Sequence, residues 1–454
     1  MGNPDACGYT RGFGPVRMSG RATRQKGSKR MTAMHGLTGA GVLISLAWPV
    51  LVPGGYAWGP LILACLGLIA APRWLWPGAV YHRLGRRGCG LMLVVLGVAA
   101  TWLAMAGLHG EVASLRVVVA SMLLALPALL ALHAWRPPLA VLWAGLSVAA
   151  TLSGAWALWQ RLQLGAVRAD GHDPLHAILF GNLSLLAGGL CMAGVAWSLG
   201  RPRQRFWRGA LLLGALGGIA ASVLSGTRGG WLALPLILLL FQRGFVAWLP
   251  GRQQLAIWLG GILLLGALYA VPHTGVQHRV ALAADEVTHY LAGEPAATNS
   301  VITRLEMWRG TWRLIAERPL LGHGNAGYQE GMARLVEAGQ VNASVLPHTH
   351  AHNDWLNTWV KLGLPGVLAL VALYLLPLWL FRSGLRHPDI AHRSLAVAGL
   401  LLPVAFLDFG LTYSFFAYSV GAGLYCGWLV ILWTFYRHTP IATLPRGSAE
   451  GDAR

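Results

Sequence analysis

Long apolar runs, broken by short polar breaks, dominate the chain. They lie at roughly 36–56, 58–76, 88–108, 113–134, 138–160 and 174–199, then at 209–225, 230–243, 255–272, 364–382, 394–412 and 416–436. A membrane helix needs about 20 apolar residues, with a range of about 17–25. The run at 230–243 is short and reads as a tilted or irregular span; the others fit. The pattern predicts an all-α polytopic membrane protein of about twelve transmembrane helices, with one large loop containing helices between the ninth and the tenth.

The basic residues test that count independently, because cytoplasmic loops are enriched in Lys and Arg. Residues 1–35 carry Arg11, Arg17, Arg21, Arg24, Lys26, Lys29 and Arg30 against a single Asp5, and read as a cytoplasmic tail. No short apolar core with a small-residue cleavage site follows, so the tail is not expected to be a signal peptide. From there every second connection is basic: Arg73, Arg83, Arg86 and Arg87; Arg136; Arg201, Arg203, Arg205 and Arg208; Arg243 and Arg252; Arg382, Arg386 and Arg393; Arg437 and Arg446. The intervening breaks at 57, 109–112 and 413–415 hold no Lys or Arg. The expected organisation is a tail at 1–35, helices one to nine over 36–272, a large outer loop at 273–363, helices ten to twelve over 364–436, and a second inner tail at 437–454.

Composition closes off other classes. The chain of 454 residues is 55% hydrophobic and 11% charged, against about 25% charged in soluble domains. With a mean hydropathy of +0.54, it is neither a soluble enzyme nor a disordered chain. The net charge of +19 does not mark a nucleic-acid partner, because the basic residues punctuate apolar runs rather than cover a folded face. Five cysteines without paired spacing imply neither a disulfide framework nor a metal site.

Two outer segments stand out. The turn Ser225-Gly226-Thr227-Arg228-Gly229-Gly230 joins spans seven and eight, and the 273–363 loop holds eight of the sixteen acidic residues. Long connections with their own polar composition are usually functional. Three groups in these segments offer chemistry. Pro347-His348-Thr349-His350-Ala351-His352-Asn353-Asp354-Trp355 places three histidines at alternate positions, which suits a general base, a metal site or a polar interfacial loop. Arg228 is either a phosphate ligand or an interfacial side chain reaching headgroups. Arg304, in Thr303-Arg304-Leu305-Glu306-Met307-Trp308, is either a phosphate ligand or a local partner of Glu306 or Glu317. Within this stretch Leu305, Trp308, Trp312 and Ile315 are expected on one helix face. The charge pattern alone puts Arg228, Arg304 and His352 on the same side of the membrane. Two cations and a base meeting there suit a diphosphate-linked, lipid-anchored substrate.

These residues resemble the O-antigen ligase and polymerase superfamily of bacterial inner membranes. His352-Asn353, then nine residues, then Gly363-Leu364-Pro365-Gly366 is similar to its His-Asn…Gly-x-x-Gly signature. Ser225 to Trp231 resembles its Ser-x-x-Arg-Gly turn. Arg304 to Trp308, followed by Pro319-Leu320-Leu321-Gly322-His323-Gly324, resembles the start of its large periplasmic loop. The resemblance covers roughly residues 210–380.

It implies an inner-membrane glycosyltransferase with its active site facing the periplasm. The donor would be a glycan on undecaprenyl diphosphate. For a ligase, the acceptor would be a sugar hydroxyl of lipid A–core. It further implies His352 as the catalytic residue, Arg228 and Arg304 as diphosphate ligands, and neither metal nor cofactor. His350, Asn353 and Asp354 are expected to support His352, and Trp308, Trp312 and Trp355 are candidate glycan contacts. One base and no protein nucleophile imply inversion at the anomeric carbon. The runner-up readings are an O-antigen polymerase or a protein O-oligosaccharyltransferase with the same motifs. A lipid or solute transporter is the reading from another class. Transporters carry paired charges near the midplane, whereas here Arg116 and Asp408 are nearly alone there.

Overall fold

A computed structural model of the chain describes residues 19–74, 78–227, 229–270 and 300–439, with 281 and 288. Among these residues every regular element is helical. The first six helices are α1 (Ser19–Leu51), α2 (Gly55–Ala70), α3 (Ala79–Leu108), α4 (Val112–Leu123), α5 (Ala125–Ala134) and α6 (Leu139–Leu162). Then come α7 (Ala177–Trp197), α8 (Gln204–Leu224), α9 (Leu234–Gly244) and α10 (Gly251–Ala270). The loop contributes α11 (Ser300–Glu317) and α12 (Gly324–Glu337), and α13 (Asp354–Phe381), α14 (Ile390–Thr412) and α15 (Ser419–His438) complete the chain.

Eleven spans among the described residues are long and apolar enough to cross a membrane, with α4 and α5 together forming one of them. The helix α10, described to Ala270, stands where the ninth span is predicted. The all-α polytopic architecture therefore holds. Two predicted boundaries shift. The third span begins at Ala79 rather than 88, so Arg83 and Arg87 lie in its first turns, over the rings of Trp74 and Trp379 at 5.3 and 5.5 Å. The tenth begins at Asp354 rather than 364, as one helix kinked at Gly363.

Lipid supplies no hydrophobic drive between helices, so close packing must hold the bundle. Small residues provide it where α8 crosses α6 and α7. A Cβ on Gly154 would meet the backbone of Gly217, and one on Gly188 would meet Gly218. The last two spans are buried on nearly every side, which an all-round apolar helix requires. Their connection, residues 413–418, is thereby held at one end of the bundle.

Candidate active site

The histidine loop, residues 348–352, is held from four directions. Trp308 of α11 donates its indole N–H to the Ala351 carbonyl (3.0 Å), and Lys361 of α13 donates to the Thr349 carbonyl (2.7 Å). The Asn353 amide donates to Ser414 Oγ (3.1 Å), and its side-chain nitrogen to the Leu411 carbonyl (3.2 Å). Asn353 also caps α13. Its Oδ1 accepts from the amides of Trp355 and Leu356 (3.0 and 3.1 Å), two donors that a helix start leaves without partners. The fully buried Asp354 accepts from the Phe416 amide at 2.9 Å. Asn353 and Asp354 thus tie the loop to the 413–418 connection.

His352 itself has φ +49. A non-glycine residue in this region costs on the order of 1–3 kcal/mol and persists where its surroundings over-determine it, often at functional sites. Here the His352 amide donates to His350 Nδ1 at 3.3 Å. Since Nδ1 of a neutral His350 accepts, its proton sits on Nε2, which donates to the Tyr418 hydroxyl at 2.9 Å. The same logic applies to His176, the cap of α7. Its Nδ1 accepts from the Ile178 amide, and its Nε2 donates to the Tyr413 hydroxyl at 2.7 Å. Tyr413 and Tyr418 stack at 5.7 Å and 11°. The ring of His352 lies 4.3 Å from His350, 5.1 Å from His348 and 5.1 Å from Tyr413. Among the described residues its Nδ1 is buried without a hydrogen-bond partner.

The arrangement favours neutral imidazoles. Burial, then the nearby His350, Arg304, His348 and His176, which oppose a further positive charge, push His352 down to about 2. Burial, then Lys361, His348 and His176, push His350 down to about 4. Burial and Arg304 lower His348, and burial and Arg168 lower His176. Burial raises the Tyr413 phenol, so it stays protonated. Among the described residues no three His, Cys, Asp or Glu side chains converge in a metal-ligating group.

Arg304 sits one helical turn before Trp308 on α11, and its charge is felt by His348, His352 and Tyr413. The structure therefore brings Arg304 to the histidines. The carboxylates considered as its local partners have others as well: Glu306 accepts from the Asn342 amide (2.8 Å) and lies 3.7 Å from Arg309, and Glu317 pairs with Arg334 at 2.6 Å. Arg228 lies outside the described residues. Its preceding turn is at the same end of the bundle: Thr227 Oγ1 donates to the Ala177 carbonyl beside His176, and Arg168 Nε donates to the Ser225 carbonyl.

The three tryptophans separate. Trp308 braces the histidine loop. Trp312 is 56% exposed and meets Trp359 edge-on at 5.5 Å in a distinct surface groove with Pro319. Trp355 packs on Tyr374 in the helical core, with ring centroids 5.4 Å apart. The expected apolar face of α11 is likewise corrected. Met307, Gly310, Thr311, Leu314 and Ile315 are buried there, against Tyr328, Met332 and Val341 among others, while Trp312 points outward.

The glycine motif acquires a structural meaning. Gly363 has φ +66, and a Cβ there would strike the Leu320 carbonyl. Gly322, with φ +72, faces Gly363 from the other side of the same contact. Backbone bonds seal it: Leu364 N–H to Pro319 O (3.1 Å) and His323 N–H to Val360 O (2.7 Å). Pro319–His323 and the kink of α13 are thus two halves of one joint. Glu111, between α3 and α4, completes the docking by accepting from the Asn325 and Ala326 amides at the start of α12.

The sequence reading did not single out His176, Lys361, Tyr413, Tyr418 or Glu111. Only the polarity of Lys361 within a predicted outer loop, and the positions of Glu111 and Tyr413 in the breaks at 109–112 and 413–415, offered a signal; Tyr418 and His176 fall inside predicted apolar runs.

The same region is similar to a known family. Residues 211–371 match the family model described as O-antigen ligase. An uncharacterized protein of Haemophilus influenzae is 28% identical over 279 residues, covering 60% of this chain and 67% of that relative. The matched residues include the α11 arginine, the histidine loop and the glycine joint. Over residues 211–371, therefore, the chain is similar to the family described as O-antigen ligase.

Proposed function

We propose that the protein is an O-antigen ligase. It moves a glycan from undecaprenyl diphosphate to a sugar hydroxyl of lipid A–core at the periplasmic face of the inner membrane. The observation that carries this reading is the meeting of His352, neutral and partly buried, with Arg304 at one end of an apolar bundle whose 211–371 segment matches the O-antigen ligase family. The alternation of basic connections supports the periplasmic placement.

In this mechanism His352 takes the proton from the acceptor hydroxyl. That oxygen forms a bond to the anomeric carbon as the bond from that carbon to the diphosphate oxygen breaks. The electron pair leaves on the diphosphate, where Arg304 and Arg228 offset the growing charge. One displacement inverts the anomeric centre, and no step calls on a metal or cofactor. Holding both lipids in register lowers the barrier by about 7–11 kcal/mol, and a general base adds about 10²–10⁴-fold. His350, whose ring nitrogens both serve hydrogen bonds, orients His352 rather than acting as the base.

The test is to incubate purified protein with lipid-linked glycan and lipid A–core, without ATP or divalent ions, and look for the joined product. Extension of the donor glycan itself would instead make the protein a polymerase. Transfer only to an added protein acceptor would make it a protein O-oligosaccharyltransferase. Absence of any transfer would overturn the enzymatic reading.

A further inference from the structure

A cavity of about 250 Å³ lies against the histidine cluster, between the α3–α4 hairpin and the first half of α13. His350 and Tyr418 form part of its wall. The His350 ring also lies 4.3 Å from that of His352. The cavity is therefore one side chain away from the candidate base.

Its lining combines opposite charges that are fixed separately. The Lys361 ammonium donates to Asn325 Oδ1 (2.8 Å) and to the Thr349 carbonyl (2.7 Å), both neutral acceptors. Among the described residues it forms no ion pair. An ammonium has three donors, so beyond these two acceptors it has one further N–H, with the Tyr328 ring 5.3 Å away as its weaker neighbour. The Glu111 carboxylate is held by two backbone amides, and each of its oxygens retains acceptor capacity. Opposite these groups stands an apolar wall. Trp102 is locked by its indole N–H on the Gly366 carbonyl at 3.2 Å, beside Phe416 and Leu115.

This combination selects its ligand. A strong anion would meet Glu111 as well as Lys361. A lipid tail would leave the remaining hydrogen-bonding capacity of both charged groups unused, which is costly in a confined site. A sugar ring satisfies all of them: hydroxyls accept from the ammonium and donate to the carboxylate, while the C–H face covers the aromatic wall. The volume is below the roughly 300–1,000 Å³ of sites for drug-sized ligands, and matches a single ring rather than an oligosaccharide.

We propose that this cavity, with Glu111 and Lys361 as its polar grips, is a binding site for one uncharged pyranose ring, the acceptor sugar of the transfer reaction. The second half of that assignment rests on the function proposed above; the sugar-binding half does not.

The test uses saturation-transfer NMR on the purified full-length protein with methyl glucoside, methyl galactoside and methyl mannoside, without donor. At least one should receive saturation from the wild type. The signal should be lost in Leu115→Trp, which fills the cavity, and in Lys361→Met, which removes one grip. Size-exclusion and thermal profiles establish that each variant is folded. In the transfer assay Leu115→Trp should raise the acceptor KM at least about tenfold, with the donor KM within about twofold. Saturation of none of the three glycosides, or equal saturation in both folded variants, overturns the sugar site. Sugar binding that these variants abolish, in a protein that transfers nothing, would instead uphold the cavity and overturn the ligase reading.

Discussion

Gly363 lies directly beneath the carbonyl of Leu320, so closely that the α13 kink and the large loop share one backbone joint. Only glycine fits, for two reasons: φ is +66, and a Cβ has nowhere to go. A left-handed L-residue costs about 1–2 kcal/mol before any clash is counted. Gly363→Ala should therefore insert normally but loosen the loop. Limited proteolysis should cut between residues 300 and 350 faster than in wild type, and transfer should fall at least about tenfold, since small misplacements of reacting groups are expensive. Unchanged proteolysis and activity would remove the joint from the account.

The depressed His352 makes a kinetic statement. With a value near 2 in the free protein, the imidazole is neutral, and able to accept a proton, at every working pH. The acid limb of kcat/KM, which reports the free enzyme, should lie well below 6.5, leaving the profile flat from pH 8 to about 5. Bound diphosphate brings negative charge beside Arg304 and His352, which favours the imidazolium and raises its value. The acid limb of kcat, which reports the complex, should then stand above that of kcat/KM. The reverse order, or a kcat/KM limb at 6.5 or higher, would contradict this environment for the base.

A guanidinium grips a phosphate with two parallel N–H bonds that an ammonium cannot copy. Arg304→Lys should keep the charge yet lower transfer by about 10²-fold, the scale on which a donor to a developing oxyanion acts. Arg228→Lys should do the same. Membrane-inserted protein, measured by quantitative blotting of detergent extracts, should be unaffected. Full activity in both variants would remove the diphosphate-clamp role.

Much of the fold was legible because lipid-spanning helices announce themselves by length. The kinks were not, since Gly85 and Gly363 read as ordinary glycines within or beside apolar helices until φ is known. The α11 face was misread because Trp308 and Trp312 are large and apolar, whereas Gly310 and Thr311 are what let Met332 and Tyr328 approach. The His350-Ala351-His352-Asn353 segment was legible as chemistry. Its hydrogen-bond partners were not, because Tyr413 and Tyr418 come from a connection some 60 residues away in sequence and His176 from another helix start. Local spacing carries no trace of such meetings.

The central claim is that His352 removes the acceptor proton. The most direct measurement compares His352→Ala with wild type in the purified transfer reaction, alongside equilibrium binding of the lipid-linked donor. The account expects transfer to fall by about 10²–10⁴-fold, the range a general base supplies, with donor affinity largely intact because the base acts on the acceptor. His350→Ala should be milder. Near-normal turnover in His352→Ala would contradict the account, as would a loss of transfer fully explained by a loss of donor binding.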